Sequence, residues 1–331
     1  MKTHRYTVTA AVCLVFVTAL FRADSVIQGA TDGLLLCLQV IIPSIFPFIF
    51  LSMLLCNYWK NINIPLLRPI CKATGIPENM QSILLLAAIG GYPVGAQAVS
   101  QVYSDQSITK DQAKRLLGFC NNAGPSFIFG LLSTLFDRKI IVLTLWLIHI
   151  GSALFVGILL PNKQNAKKIE LDYSCRPIPE ILHSSLLVTG IICGWVILFR
   201  ILLHFLETML ASVLDPTVLP ILFGVLELSN GCIALNMIAS EATRFIVASA
   251  LLSMGGLCVA MQTVSVSGRL GTGAYFPGKI MQTSLSVFLS SLISIILFHS
   301  KLSLLPVLLS VLTFVITLTV VRRKKVVALC S

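Results

Sequence analysis

The chain has 331 residues, a net charge of +11 and a mean hydropathy of +0.92, with 56% hydrophobic and only 11% charged residues. Soluble domains carry roughly 25% charged residues, so a soluble fold is excluded. The basic residues stand at the ends and in short loops (Lys2 and Arg5, Lys60 to Lys72, Lys163 to Arg176, Arg322 to Lys325), which fits anionic headgroups and excludes the basic face that nucleic acid needs.

Ten apolar segments are expected as helices: 8–21, 33–57, 80–104, 114–136, 139–161, 181–206, 216–238, 244–267, 274–299 and 302–321. Backbone in lipid must satisfy its own hydrogen bonds, and most of these runs approach the roughly 20 residues that cross a hydrocarbon core. The expected fold is all-α: a multi-pass integral membrane protein of about 8–10 transmembrane or re-entrant helices. The first run, Val8 to Phe21 behind Lys2 and Arg5, is short enough for a signal segment. "TALFRADS" puts Leu20 and Phe21 where cleavage needs small residues, so a retained helix is expected.

The third segment carries "GGYPVGAQAVS", Gly90 to Ser100. Glycine and proline interrupt a membrane helix, and a buried glutamine amide needs partners. Gly90, Gly91, Tyr92, Pro93 and Gln97 are therefore expected at a broken helix near a site. "SITKDQAKRLL" then starts a helix, with Thr109 as its cap and Asp111 in the first turn. It runs into "GFCNNAGPSFIFG", Gly118 to Gly130, where Asn121, Asn122, Gly124, Pro125 and Ser126 make a polar break able to hold a solute or ion. The plainer reading is that the asparagines join helices and Gly-Pro turns the chain.

The polar stretch 162–180 divides the chain into an N-terminal half, 1–161, with a first repeat over about 33–136, and a C-terminal half, 181–331, with a second over about 216–299. Sliding the sequence by 165 residues places Leu86–Ser100 on Leu251–Ser265 with seven of fifteen positions identical, including Gly90/Gly255, Gly91/Gly256 and Gln97/Gln262. "IIPSIFPFIF" (41–50) likewise echoes "VLPILFGVLE" (218–227) through Pro43/Pro220 and Phe46/Phe223. Paired interrupted helices point to a transporter site, which adds Gly255, Gly256 and Gln262. Ten crossings would make the copies inverted; a re-entrant hairpin in each half changes the parity, and the sequence leaves both open.

Glu227 stands in "LPILFGVLELSNGCIAL", with no other formal charge between Asp215 and Glu241. An intramembrane carboxylate is costly and points to function, and Asn230 lies one turn on. Its structural alternative is a partner for Arg200 or Arg269. The ten cysteines lie singly without C-x-x-C, and the five histidines are scattered, so structural cysteines, interfacial histidines and no metal site are expected. His149 is the deepest of these histidines. "GRLGTGAYFPGK" (268–279) lacks phosphate-loop spacing, and neither G-x-S-x-G nor H-E-x-x-H occurs, so neither an enzyme nor a cofactor is expected.

The stretch Gly90–Gly130, with "IIPSIFPFIF" and "LELSNG", resembles the YlbJ-type sporulation integral membrane proteins of the Gate-domain, or nucleoside recognition, superfamily. That superfamily is named for similarity to membrane parts of concentrative nucleoside transporters and of FeoB iron transporters. The resemblance marks Gly90, Gly91, Pro93, Gly95, Asn121, Asn122, Gly124, Pro125, Glu227, Asn230 and Gly231. It implies duplicated gate units in a bacterial cell membrane and a link to spore formation. The expected function is a gate-type permease, or permease component, for a small polar solute or ion. Its partners would be the lipid bilayer and a second copy or a second gate-domain protein. The alternative is a non-transporting assembly factor for sporulation or the envelope.

Overall fold

A computed structural model describes residues 6, 9, 13, 16–58, 64–77, 80–161, 175–210, 215 and 218–330. Among them the ordered elements are helical throughout, and the chain is a multi-pass membrane protein. Most of the 8–21 run and residues 162–174 of the linker lie outside the described residues.

Among the described residues five helices are long and apolar enough to cross a membrane: Lys139–Leu159, Ile178–Glu207, Glu241–Ser267, Tyr275–Phe298 and Leu304–Arg323. A sixth crossing is available if the bent pair Ala23–Ile41 and Ile45–Leu55, at 52°, counts as one. Glycine, proline and Glu227 cut several of the ten apolar segments into short pieces, so fewer uninterrupted helices than segments reach spanning length. In chain order the helices are α1 (Ala23–Leu36), α2 (Ile42–Tyr58), α3 (Arg68–Thr74), α4 (Gln81–Ile89), α5 (Val94–Ser104), α6 (Lys110–Leu116), α7 (Pro125–Leu131) and α8 (Lys139–Leu159). They continue with α9 (Ile178–Leu210), α10 (Val218–Leu226), α11 (Leu228–Ala234), α12 (Glu241–Met254), α13 (Gly256–Ser267), α14 (Tyr275–Phe298) and α15 (Leu304–Cys330).

Close backbone approach holds the bundle together. A π-helical turn, Cys37–Ile41, ends the first leg, and the chain bends by 52° between Ile41 and Ile45, at Pro43. On α1, Gly29 and Gly33 face α9 so closely that a Cβ on either would come within 2.9 Å of Ile201 or Ile197 Cα. This is small-xxx-small packing, which replaces the hydrophobic drive missing between helices in lipid. At the start of α14, a Cβ on Gly278 would fall 2.0 Å from the Gly118 carbonyl oxygen, so α14 lies directly on the segment leading to Asn121 and Asn122. The cap expected at Thr109 is present as a full capping box with Gln112.

The two Gly-Gly interruptions share a local pattern. The last helical bonds are Gly90 N–H to Leu86 O at 2.8 Å and Gly255 N–H to Leu251 O at 2.9 Å. Gly91 and Gly256 then take φ of +79° and +77°, a left-handed conformation that only glycine adopts cheaply. At each break this strands the next carbonyl, Ala87 O or Leu252 O, which a continuing helix would have paired. Downstream they differ: α5 follows α4 only after Tyr92 and Pro93, whereas α12 and α13 together form one 27-residue candidate crossing.

Candidate functional site

Three interrupted helices meet around a cavity of about 340 Å3. That lies within the roughly 300–1,000 Å3 usual for small-molecule sites. Its wall includes Gly90, Gly91 and Tyr92 from the first break, Gly124 and Ser126 from the second, and Glu227 between α10 and α11. Gln262 and Val259 of α13 and apolar side chains of α1, α2 and α9 close it. Seven of the residues singled out in the sequence thus share one cavity although they lie far apart in the chain.

Glu227 is 3% exposed and occupies the one-residue turn between α10 and α11. The two short helices fold back on each other, because Gly231 lies so near Gly224 that a Cβ there would meet its Cα at 2.1 Å. The carboxylate caps α11: Oε1 accepts from Ser229 N–H at 3.0 Å, and Oε2 accepts from Asn230 N–H at 2.8 Å and from Asn230 Nδ2 at 2.6 Å. Three donors satisfy most of its acceptor capacity, which is how a buried carboxylate is tolerated. Asn230 Oδ1 in turn accepts from Arg200 at 2.9 Å, and Arg200 contacts Glu207 at 3.0 Å and Asp32 at 3.5 Å. Arg200 is therefore linked to Glu227 through Asn230 rather than paired with it.

Behind Tyr92 lies a second polar centre built on Lys279, which is only 4% exposed. Its Nζ donates to Gln282 Oε1 at 2.8 Å, to Tyr92 Oη at 2.9 Å and to Asn122 Oδ1 at 3.4 Å. Among the described residues no carboxylate lies within ion-pair distance of it. Tyr92 Oη donates to Leu252 O at 2.9 Å, and its ring rests on Gly255, 3.3 Å from where a Cβ would stand. Asn122 Nδ2 donates to Ala87 O at 3.1 Å and Phe119 O at 2.8 Å. The carbonyls stranded by the two Gly-Gly breaks are thus taken by Asn122 and Tyr92, and both of those side chains meet at Lys279.

His149 belongs to this centre, correcting the expectation of an interfacial ring: it is 1% exposed. Nε2 accepts from Ala123 N–H at 2.9 Å, which leaves the ring hydrogen on Nδ1, 3.3 Å from Ser253 Oγ. The imidazole is neutral in this arrangement. Ser253, Ser286 and Ser152 continue the network at 2.7 and 2.8 Å.

The remaining expected residues divide. Asn121 donates to Thr263 Oγ1 at 2.8 Å and accepts from Ala96 N–H, joining α5 to α13. Pro125 is the first residue of α7, where its missing N–H costs nothing. The two glutamines part company: Gln262 reaches the cavity and donates to Cys258 Sγ at 3.4 Å, whereas Gln97 lies in a separate crevice beside Leu86. Arg269 lies outside the described side chains.

Lys279, Gln282 and Ser286 were missed because Lys279 sits near the start of its segment, where charges are ordinary. The available signal was periodic: Lys279, Gln282, Ser286, Ser290 and Ser294 recur at three- and four-residue steps along a largely apolar run. All five are buried.

Over 118 residues the chain is 28% identical to a protein of Bacillus subtilis (strain 168) named sporulation integral membrane protein YlbJ. The matched stretch covers 34% of this chain and 28% of that relative. No family model and no solved structure matches the chain. With its apolar helices, the similarity describes a multi-pass membrane protein akin, over about a third of its length, to a sporulation membrane protein.

Proposed function

We propose that this chain is a gate-type permease, or the permease component of a transporter, for a small polar solute or ion in a bacterial membrane. The observation that carries the reading is the cavity of about 340 Å3 walled by three helix interruptions and the buried carboxylate of Glu227. Broken helices place backbone groups and a charge where a desolvated solute needs them, and their short pieces can rearrange more readily than continuous spans. The Gate-superfamily resemblance of Gly90–Gly130 supports the same reading, and the similarity to a relative named for sporulation supports a role in spore formation.

Uptake of a panel of nucleosides, small organic ions and metal ions into vesicles tests it, comparing the parent with Glu227→Gln and Asn122→Ala. The expected result is flux of at least one solute, reduced at least tenfold by Glu227→Gln. Unchanged flux of every solute in both variants overturns the assignment of the site.

A further inference from the structure

We propose that Lys279 is a tethered cation: its ammonium occupies the position, at the ends of two interrupted helices, that a coupling alkali ion takes in an ion-driven carrier. Every oxygen around Nζ is presented as an acceptor with the neighbouring hydrogens committed elsewhere. Tyr92 Oη gives its hydrogen to Leu252 O, Asn122 Nδ2 gives its own to Ala87 O and Phe119 O, and Gln282 Nε2 gives its own to Asn122 Oδ1 and His149 O. Three acceptors for three N–H donors describe an ammonium, whereas a neutral amine would leave its lone pair facing oxygen.

The compensation for a buried charge comes from the fold. Ala87 and Leu252 lie at the C-terminal ends of α4 and α12, and their stranded carbonyls are one side chain away from Nζ. Helix C-termini carry partial negative charge and are where carriers hold coupling cations. With His149 held neutral by Ala123 N–H, Lys279 brings the formal charge of this network. An intramolecular cation leaves no vacancy for sodium there, so a sodium ion at this position takes no part in transport by this chain. That consequence rests on the transport reading; the cation site itself does not.

Thermal unfolding of the purified full chain separates the two. The parent melts at the same temperature in sodium chloride and in choline chloride. Lys279→Ala melts roughly 5 °C or more lower, and millimolar ethylammonium or sodium restores at least half of the loss. Tetramethylammonium, which has the charge but no N–H donor, restores none. If the variant does not fold, its yield as monodisperse protein with ethylammonium against tetramethylammonium reads the same property. Unaltered melting of Lys279→Ala overturns the proposal, and so does equal rescue, or equal failure of rescue, by the two ions. In vesicles that show uptake, Lys279→Ala acquiring no sodium dependence would contradict the coupling consequence and leave the cation site standing.

Discussion

Glu227 and Lys279 are both buried charges at helix interruptions, and they are stabilised in opposite ways. Glu227 is satisfied by its own turn: two of its three donors are backbone N–H groups two and three residues on, and the third is Asn230. Lys279 takes one acceptor from its own helix, and the other two come from separate stretches of the chain, Tyr92 and Asn122. A carboxylate capped locally can travel with a short helical hairpin, whereas a cation shared among elements binds those elements together. The difference suggests a division of labour, with Glu227 at the cavity and Lys279 at the frame.

Variants can break this comparison. The largest effect is expected for Asn122→Ala, which removes an acceptor of Lys279 and the donor to two buried carbonyls. The loss should be about 3–5 kcal/mol of unfolding free energy in detergent. Gly231→Ala should cost about 2–3 kcal/mol by forcing α11 away from Gly224, which moves the Glu227 cap without touching the carboxylate. Tyr92→Phe keeps the ring on Gly255 but strands Leu252 O and drops one acceptor of Lys279, a loss of about 1–2 kcal/mol. Asn230→Ala should cost least, about 1 kcal/mol, since backbone N–H groups still hold Glu227. Asn230→Ala exceeding Asn122→Ala in the same melts would reverse the comparison.

What was legible in the sequence follows the same line. Membrane helices announce themselves through apolar length, and Gly-Gly, Gly-Pro and a solitary glutamate announce interruptions, because each disrupts a helix by local chemistry. Gly91, Gly124 and Glu227 could therefore be picked out, and they converge on one cavity. Lys279 and His149 were harder to read, because a lysine near a segment's start, or a lone histidine in an apolar helix, resembles an interfacial residue, and only the polar series running on from Lys279 hints otherwise. Their burial is produced at long range, by Gly278 closing on Gly118 and by Ala123 N–H seeking an acceptor. Gln97 and Gln262 show the converse: positions that align in the sequence acquire different surroundings in the fold.

The most direct test of the account is whether the Glu227 cavity is reachable from both sides of the membrane. Ser126→Cys places a thiol on its wall, and a charged, membrane-impermeant thiol reagent can be applied to right-side-out and inside-out vesicles, with the parent chain as blank. Alternating access predicts labelling above the blank in both orientations. Labelling in one orientation only, or in neither, would contradict it.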